Sequence, residues 1–477
     1  MEQEATIIAS LSKSSSSNCL IHLPALMEHI SIQPKLQVTF ANKSIVKPTN
    51  NPLSESEPLI LHLSNLDLLS GRFPITYFYF YRRPTTNSST GIIDALKISL
   101  AKTLNHYYPF AGKIVQNPTT NEPEIICNNF GALVVEAKAN LRLDALNFHD
   151  LNELLQGKLV TVNPDFPLQI QITCYACGGI SITFTFDHAL GDATAFGKFL
   201  LAWSEITRGK PISTIPDHRR NILPRSPPTY HPDLNNTMVK CTMEDINNIP
   251  TLKKLIKRLY YIDQTSIDQL QKLASSNGVK RTKIEAFSAY VWKKMVSAME
   301  TEHTKCKMGW LVDGRSRLGG DRNYMSDYIG NVLSVVFGEA SIEELKCNSI
   351  PEIADVVHEA ISKATNKAHF LDLVDWIECR RPGLMMSRIV LGLGGPGLVV
   401  SSGQRFPVSE LDFGFGGPVL GTVGSTIERI GVSYLNQRPS AKGDGSWTVS
   451  AILEPELATT LELDSVFQPM TTTLLQL

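Results

Sequence analysis

Residues 181–196 read SITFTFDHALGDATAF and set a histidine, His188, four positions before an aspartate, Asp192. Imidazole has an ordinary pKa of about 6.5, so at neutral pH it is mostly uncharged and can take a proton from a hydroxyl or an amine. The alternation over 181–186 predicts a half-buried strand that ends where Asp187 and His188 begin. A base at such a strand end, followed by small residues, can reach a substrate without steric cover. Spacing alone leaves two readings open: a general base, or a histidine bonded within a turn. Asp192 is equally open, either bonding the imidazole as in a triad or turning away to pair with an arginine.

Two other clusters could support such chemistry. DGRSR, residues 313–317, follows a strand-like run and brings Arg315 and Arg317 together. It is either a solvated turn or the buried partner of a carboxylate such as Asp192, where the planar guanidinium fixes geometry as well as charge. LDFGFGGP, residues 411–418, follows the strand-like RFPVSE and alternates glycine with aromatics. Gly414 and Gly416 let the backbone bend tightly, and a buried Asp412 needs donors, so this stretch reads as a structural turn. GLGGPG, residues 392–397, precedes a strand instead of following one and opening a helix, which argues against a dinucleotide site. No G-x-S-x-G elbow is present for a serine hydrolase. Of the eight cysteines, only Cys174 and Cys177 in CYAC have ligand-like spacing. In an alternating run a strand points those two to opposite faces, so no metal is expected.

The chain of 477 residues exceeds one ordinary core and predicts two domains, 1–209 and 237–477. Between them, 210–236 carries six prolines and no apolar periodicity, the pattern of an extended linker. In the first half, Ile93, Leu96, Leu100 and Leu104 fall at helical spacing, up to the breakers Pro109 and Gly112. EIICNN, ALVVEAK and LQIQITCYA read as strands, and a Gly178-Gly179 hairpin leads into ISITFTF. ATAFGKFLLAWSEITRG is the amphipathic helix after the histidine. The second half opens with a strand, KRLYYID, and a helix, TSIDQLQKLASSNG, capped by Thr265 or Ser266 and closed by Gly278. A further helix, TKIEAFSAYVWKKMVSAM, precedes KMGWLVDGRSRL, a strand entering a turn. The fold class is therefore mixed α/β in two lobes, whose seam is the usual place for a ligand.

Charge narrows the partners. Lys and Arg number 45 against 46 Asp and Glu, with no basic stripe, which removes the motive for binding nucleic acid. No apolar run reaches the roughly 18 residues of a membrane span, and the polar N-terminus lacks the order of a signal peptide. A cytoplasmic location is expected.

Taken in order, the pieces are more specific than any one alone. LSNLD (63–67), LKISLAKTLNHYYPFAGK (96–113), HALGD (188–192), DGRSR (313–317), YIGN (328–331) and DFGFG (412–416) resemble the landmarks of the plant BAHD acyltransferases over nearly the whole chain. That family moves an acyl group from a coenzyme A thioester to an alcohol or amine. The resemblance implies two similar-sized domains, each around a mixed sheet, arranged as in chloramphenicol acetyltransferase. It implies a channel between them, which CoA enters from one face and the acceptor from the other. His188 would be the base, Asp192 would turn from the channel onto Arg315 or Arg317, and Asp412, Gly414 and Gly416 would form the structural DFGxG motif. Acyl-CoA would be a co-substrate of a monomeric enzyme that holds no tightly bound cofactor.

Some positions depart from the family pattern. Ser401, Ser402 and Gly403 stand where hydroxycinnamoyl-using members have Thr-Ser-Trp. Ser401 keeps a hydroxyl donor for an oxyanion, whereas Gly403 removes an indole and predicts a roomier acceptor pocket. Arg388 lines up with an arginine that binds the acceptor carboxylate in shikimate-using relatives. Thr282 and Lys283, at a helix start, are the candidates for the CoA phosphates. Ile329 and Val332 break the YFGNC pattern of malonyl-using members, which argues against malonyl-CoA. The expected reaction moves an acetyl or hydroxycinnamoyl group from CoA to the hydroxyl of a small phenylpropanoid alcohol such as coniferyl alcohol. The alternatives are an amine acceptor and a catalytically silent binding protein on the same fold. A condensation-type domain is disfavoured, because it carries H-H-x-x-x-D and Asp187 stands at the first histidine.

Overall fold

The computed structural model describes residues 35–50, 58–69, 71–84, 89–160, 162–249, 255–276, 278–299, 303–320, 325–424 and 432–477. Their compact unit, Leu36–Leu477, is built on two large mixed sheets. The first runs in the order Val38–Val46, Ala132–Ala139, Leu168–Cys174, Ile180–Asp187, Pro74–Tyr81, Leu420–Gly424. Only its second and third strands pair in parallel. On Pro74–Tyr81 the residues Tyr77, Tyr79 and Tyr81 join the core of helices Ser89–His106 and Ala193–Thr207, while Phe78 and Phe80 fill a separate core on the other face. Burial on both faces explains why this strand is an unbroken aromatic run and not an alternation. Leu96, Leu100 and Leu104 are fully buried along Ser89–His106, as their spacing predicts.

The hairpin ahead of the histidine closes at Gly178, whose φ of +82° suits glycine, with the Tyr175 N–H donating to the Gly179 carbonyl at 2.9 Å. The preceding strand stops at Cys174, so Cys177 lies in the turn and not on the opposite strand face; neither is in a disulfide.

The second sheet runs Leu333–Ser341, Lys305–Asp313, Gly397–Ser402, Ser433–Pro439, Trp447–Leu453, Ile256–Ile262, Gln468–Pro469. Helices Lys283–Ala298, Gln264–Ala274 and Ile350–Ser362 share its core. Neither Thr265 nor Ser266 caps Gln264–Ala274. Asp263 does, accepting the Ser266 N–H at 2.8 Å, and the helix has ended at Ser275, before Gly278. The Asp263 carboxylate, two positions before Thr265, reaches the free amides of the first turn, so the helix begins there.

RFPVSE is not a strand. Pro407 has no N–H for a ladder, and this stretch carries the chain out of the second sheet and into the first. The hydroxyls of Tyr79 and Tyr81 hold the crossing by donating to the carbonyls of Pro407 and Leu411 at 2.9 and 3.0 Å. Leu420–Gly424 then pairs antiparallel with Pro74–Tyr81, so the second half of the chain supplies an edge strand to the first sheet.

The proline-rich stretch 210–236 lacks regular structure until the short helix Leu234–Thr237 and is anchored by side chains. His218 meets the His106 carbonyl at 2.9 Å, Arg220 runs inward to Asp67, and Arg225 bonds Asp372 and Asp375. Among the described residues no helix is long and apolar enough to cross a membrane.

Candidate active site

Strand Ile180–Asp187 delivers His188 at its end, where a short turn, His188–Leu190, begins. The backbone is fixed on both sides of the imidazole. The His188 N–H donates to the Phe73 carbonyl at 3.0 Å, and the His188 carbonyl accepts from Nδ2 of Asn331 at 2.9 Å. Asp187 caps the turn through the Ala189 N–H at 2.9 Å and pairs with Arg72 at 2.8 Å. The ring rests against Phe73 with centroids 4.9 Å apart. Close approach forces a glycine after the turn, since a Cβ at Gly191 would stand 2.7 Å from that of Ala195.

Asp192 does not reach the imidazole by a hydrogen bond. It caps helix Ala193–Thr207 through the Ala195 N–H at 3.1 Å and accepts the Val332 N–H at 3.0 Å. Arg315 grips both its oxygens, at 2.8 and 3.0 Å, and donates on to the Gly330 carbonyl at 2.8 Å. Both partners are almost fully buried. Arg317 takes no part, donating instead to Ser316 at 2.6 Å. Two arginines two positions apart in sequence are thus separated by the helical turn Arg315–Gly319, which aims only the first inward.

A second buried layer holds this loop, and sequence reasoning gave it no role. Asp67 accepts from Arg220 at 2.7 Å, from the Asn331 N–H at 2.8 Å and from Asn331 Nδ2 at 3.0 Å. Arg220 also donates to the Leu190 carbonyl at 2.8 Å. Asp67 and Asn331 lie within LSNLD and YIGN, so their motifs were visible. Arg220 sits in the proline-rich stretch, where nothing in the sequence distinguishes it from a solvated arginine. An Arg220→Met variant strands the buried Asp67 carboxylate with its remaining amide and hydroxyl donors. Stability is expected to fall by about 3 kcal/mol, the low end for breaking a buried ion pair, measured by urea unfolding.

Burial holds the His188 pKa below the ordinary imidazole value; the charges of Asp192 and Asp187 and the Asn331 side chain pull the other way without reversing it. Nδ1 of His188 and Oδ1 of Asn331 are both buried without a well-formed partner, and the Asn331 amide is the group that meets the imidazole. The neutral ring is therefore kept to lower pH than free histidine. If the neutral ring is the working form, kcat/KM rises with pH through a limb below about 6.5. A limb at or above that value in a pH–rate profile counts against His188. For Asp192, burial alone would raise the pKa, but the charge and hydrogen bonds of Arg315 outweigh it and hold the carboxyl below its ordinary range.

The remaining sequence candidates lie elsewhere or differ from expectation. Ser401 is buried beside Tyr434, whose phenol burial pushes up to about 12. Gly403 does not open a roomier pocket: the buried Arg438 guanidinium fills the space, and a Cβ at Gly403 would stand 2.4 Å from it. Arg388 follows strand Leu384–Ser387, its N–H on the Thr237 carbonyl at 2.9 Å. Thr282 forms a capping box with Glu285, and the partly exposed Lys283 pairs with Asp268 at 2.9 Å. Asp412 accepts the N–H groups of Gly414 and Gly416 at 2.7 and 2.9 Å, both glycines at positive φ, which is a self-contained turn. Among the described residues no group of three or more His, Cys, Asp or Glu is placed to hold a metal.

A family model described as Transferase family matches residues 36–465. The chain is 30% identical over 446 residues to anthranilate N-benzoyltransferase protein 1 of Dianthus caryophyllus, covering 87% of this chain and 96% of that protein. It is 26% identical over 441 residues to shikimate O-hydroxycinnamoyltransferase of Nicotiana tabacum, covering 88% and 97%. Among solved structures, vinorine synthase superposes with a TM-score of 0.67 at 22% identity, over 91% of this chain and 99% of that one, a likeness of fold.

Proposed function

The chain belongs to the Transferase family, the BAHD acyltransferases, and is an acyl-CoA-dependent acyltransferase; on that premise we propose that His188 is the general base of a direct transfer to a small-molecule hydroxyl. The acceptor O–H gives its proton to the imidazole as its oxygen attacks the thioester carbonyl. The C–S bond then breaks, and the departing thiolate takes the proton back from His188. A thioester is already activated, so positioning two substrates and moving one proton suffices, without a covalent enzyme intermediate.

The observation that carries this reading is the division between His188 and Asp192. The imidazole is neutral by burial, and the aspartate is fully engaged with Arg315. Nδ1 is buried, and in this reading Nε2 is the basic nitrogen. The acyl group we propose is acetyl or hydroxycinnamoyl, and the acceptor a phenylpropanoid-type alcohol. An amine acceptor is the second reading, favoured by the N-benzoyltransferase relative, because the same base serves both nucleophiles. In this reading the halves 1–209 and 237–477, joined through 210–236, each centre on one sheet, with Leu420–Gly424 of the second half crossing to the first sheet and the substrates meeting at the seam.

Purified protein tested with a panel of acyl-CoAs and acceptors, following free thiol and identifying products, decides it. Ester products support the main reading and amide products the second. Failure to consume any thioester supports a silent binding protein instead.

A further inference from the structure

Three deeply buried arginine side chains have a carboxylate partner: Arg220 on Asp67, Arg281 on Asp355 and Arg315 on Asp192. Arg438 does not. It lies near the end of strand Ser433–Pro439, is 2% exposed, and has no carboxylate at ion-pair distance among the described residues. Its Nη1 donates to the neighbouring Gln437 carbonyl at 2.7 Å, while Nε is buried without an acceptor. The guanidinium lies 5.5 Å from the Phe406 ring centroid and 6.0 Å from that of Tyr77. Ring faces at that range compensate only part of the loss of water around a cation.

A chain of ring contacts leads from this cation to the strand that presents His188. Tyr77, whose ring centroid lies 6.0 Å from the guanidinium, stacks on Phe196 at 5.4 Å, and Phe196 stacks at 4.0 Å on Phe186, two residues before His188. The Tyr77 phenol feels the charges of both Arg438 and Asp192. The guanidinium lies directly against Gly403, where a Cβ would stand 2.4 Å from it.

We propose that Arg438 is the receptor for a carboxylate carried by one of the two substrates. A guanidinium fork matches a carboxylate in plane and charge, and supplying one satisfies the stranded donor and neutralises the buried charge. Phe406 and Tyr77 beside it suit an acid whose carboxylate is joined to an aromatic ring. The proposal takes its substrates from the acyltransferase reading above, but its test needs no turnover.

The experiment is a thermal-shift titration of the full-length protein with benzoate and cinnamate against benzamide and cinnamamide, and with malonyl-CoA against acetyl-CoA. Wild-type protein is expected to be stabilised by the carboxylate of at least one pair and not by its neutral counterpart. The responding pair identifies acceptor or acyl donor as the source. Arg438→Met is expected to weaken that carboxylate's binding at least tenfold, with Arg438→Lys intermediate. Equal responses within every pair overturn the proposal, and so does a carboxylate preference that persists in Arg438→Met. A fall in kcat for carboxylate-free substrates with unchanged carboxylate binding also overturns it, assigning Arg438 to the reaction's oxyanion. If the methionine variant does not fold, the lysine variant and the wild-type pairs still decide. Failure of the acyltransferase reading is separate, since it appears as no thioester consumed while the carboxylate shift remains.

Discussion

Alanine at position 188 is expected to lower turnover by about two to four orders of magnitude, the range for losing a general base, with little change in melting temperature. Both halves of that expectation come from the geometry. The bonds that place the loop use the His188 backbone: its N–H on Phe73 and its carbonyl under Asn331. They survive truncation of the ring. The side chain itself contributes the contact with Phe73 and an Nδ1 without a well-formed partner, so little stability depends on it. Steady-state kinetics with the best donor and acceptor pair, alongside a thermal melt, checks the outcome. Near-normal turnover in a folded H188A protein would sink the mechanism, and the reaction would have to deprotonate its acceptor elsewhere.

The opposite pattern is expected for Asp192→Ala. Removing this carboxylate leaves the Arg315 guanidinium buried with the Gly330 carbonyl and a more distant Asp313. It also frees the amides of Ala195 and Val332. Breaking a buried pair in this way costs about 3–5 kcal/mol, read as a lower midpoint in denaturant. Pairing D192A with Arg315→Met in a double-mutant cycle should recover part of the loss, because the second change removes the stranded charge. The acid side gives an independent check. With its folded pKa depressed, Asp192 contributes stability above its unfolded value of about 3.9, and that contribution disappears as pH falls through the folded value. The stability gap between wild type and D192A should therefore narrow as pH falls below about 3.9. An unaltered melt with complete loss of activity would instead give Asp192 a direct, triad-like role.

Particular residues show how far the sequence could be followed. His188 was visible because a period-two strand ends on it, and Asp192 because four residues separate the two. The choice between Arg315 and Arg317 was not, since both follow the same strand and only the turn they enter decides which faces inward. Arg220 and Arg438 were invisible for a related reason. Each looks like a surface arginine in its own segment, and its partners, Asp67 for one and the Tyr77 and Phe406 rings for the other, come from distant segments. Gly403 was misread as empty space for the same cause: a missing side chain leaves room only if nothing remote fills it.

The sequence by itself determined the family, the mixed α/β class, the strand that presents His188 and the turn chemistry of Asp412, Gly414 and Gly416. These depend on local periodicity, on the donors within a few residues and on motif order. Tertiary structure alone decided that Asp192 belongs to Arg315, that Asp67, Arg220 and Asn331 lock the loop, and that a strand from the second half completes the first sheet. The physical reason is that a buried charge must be met by whatever opposite group the fold brings beside it. That neighbour can lie more than a hundred residues away, as Arg315 does from Asp192.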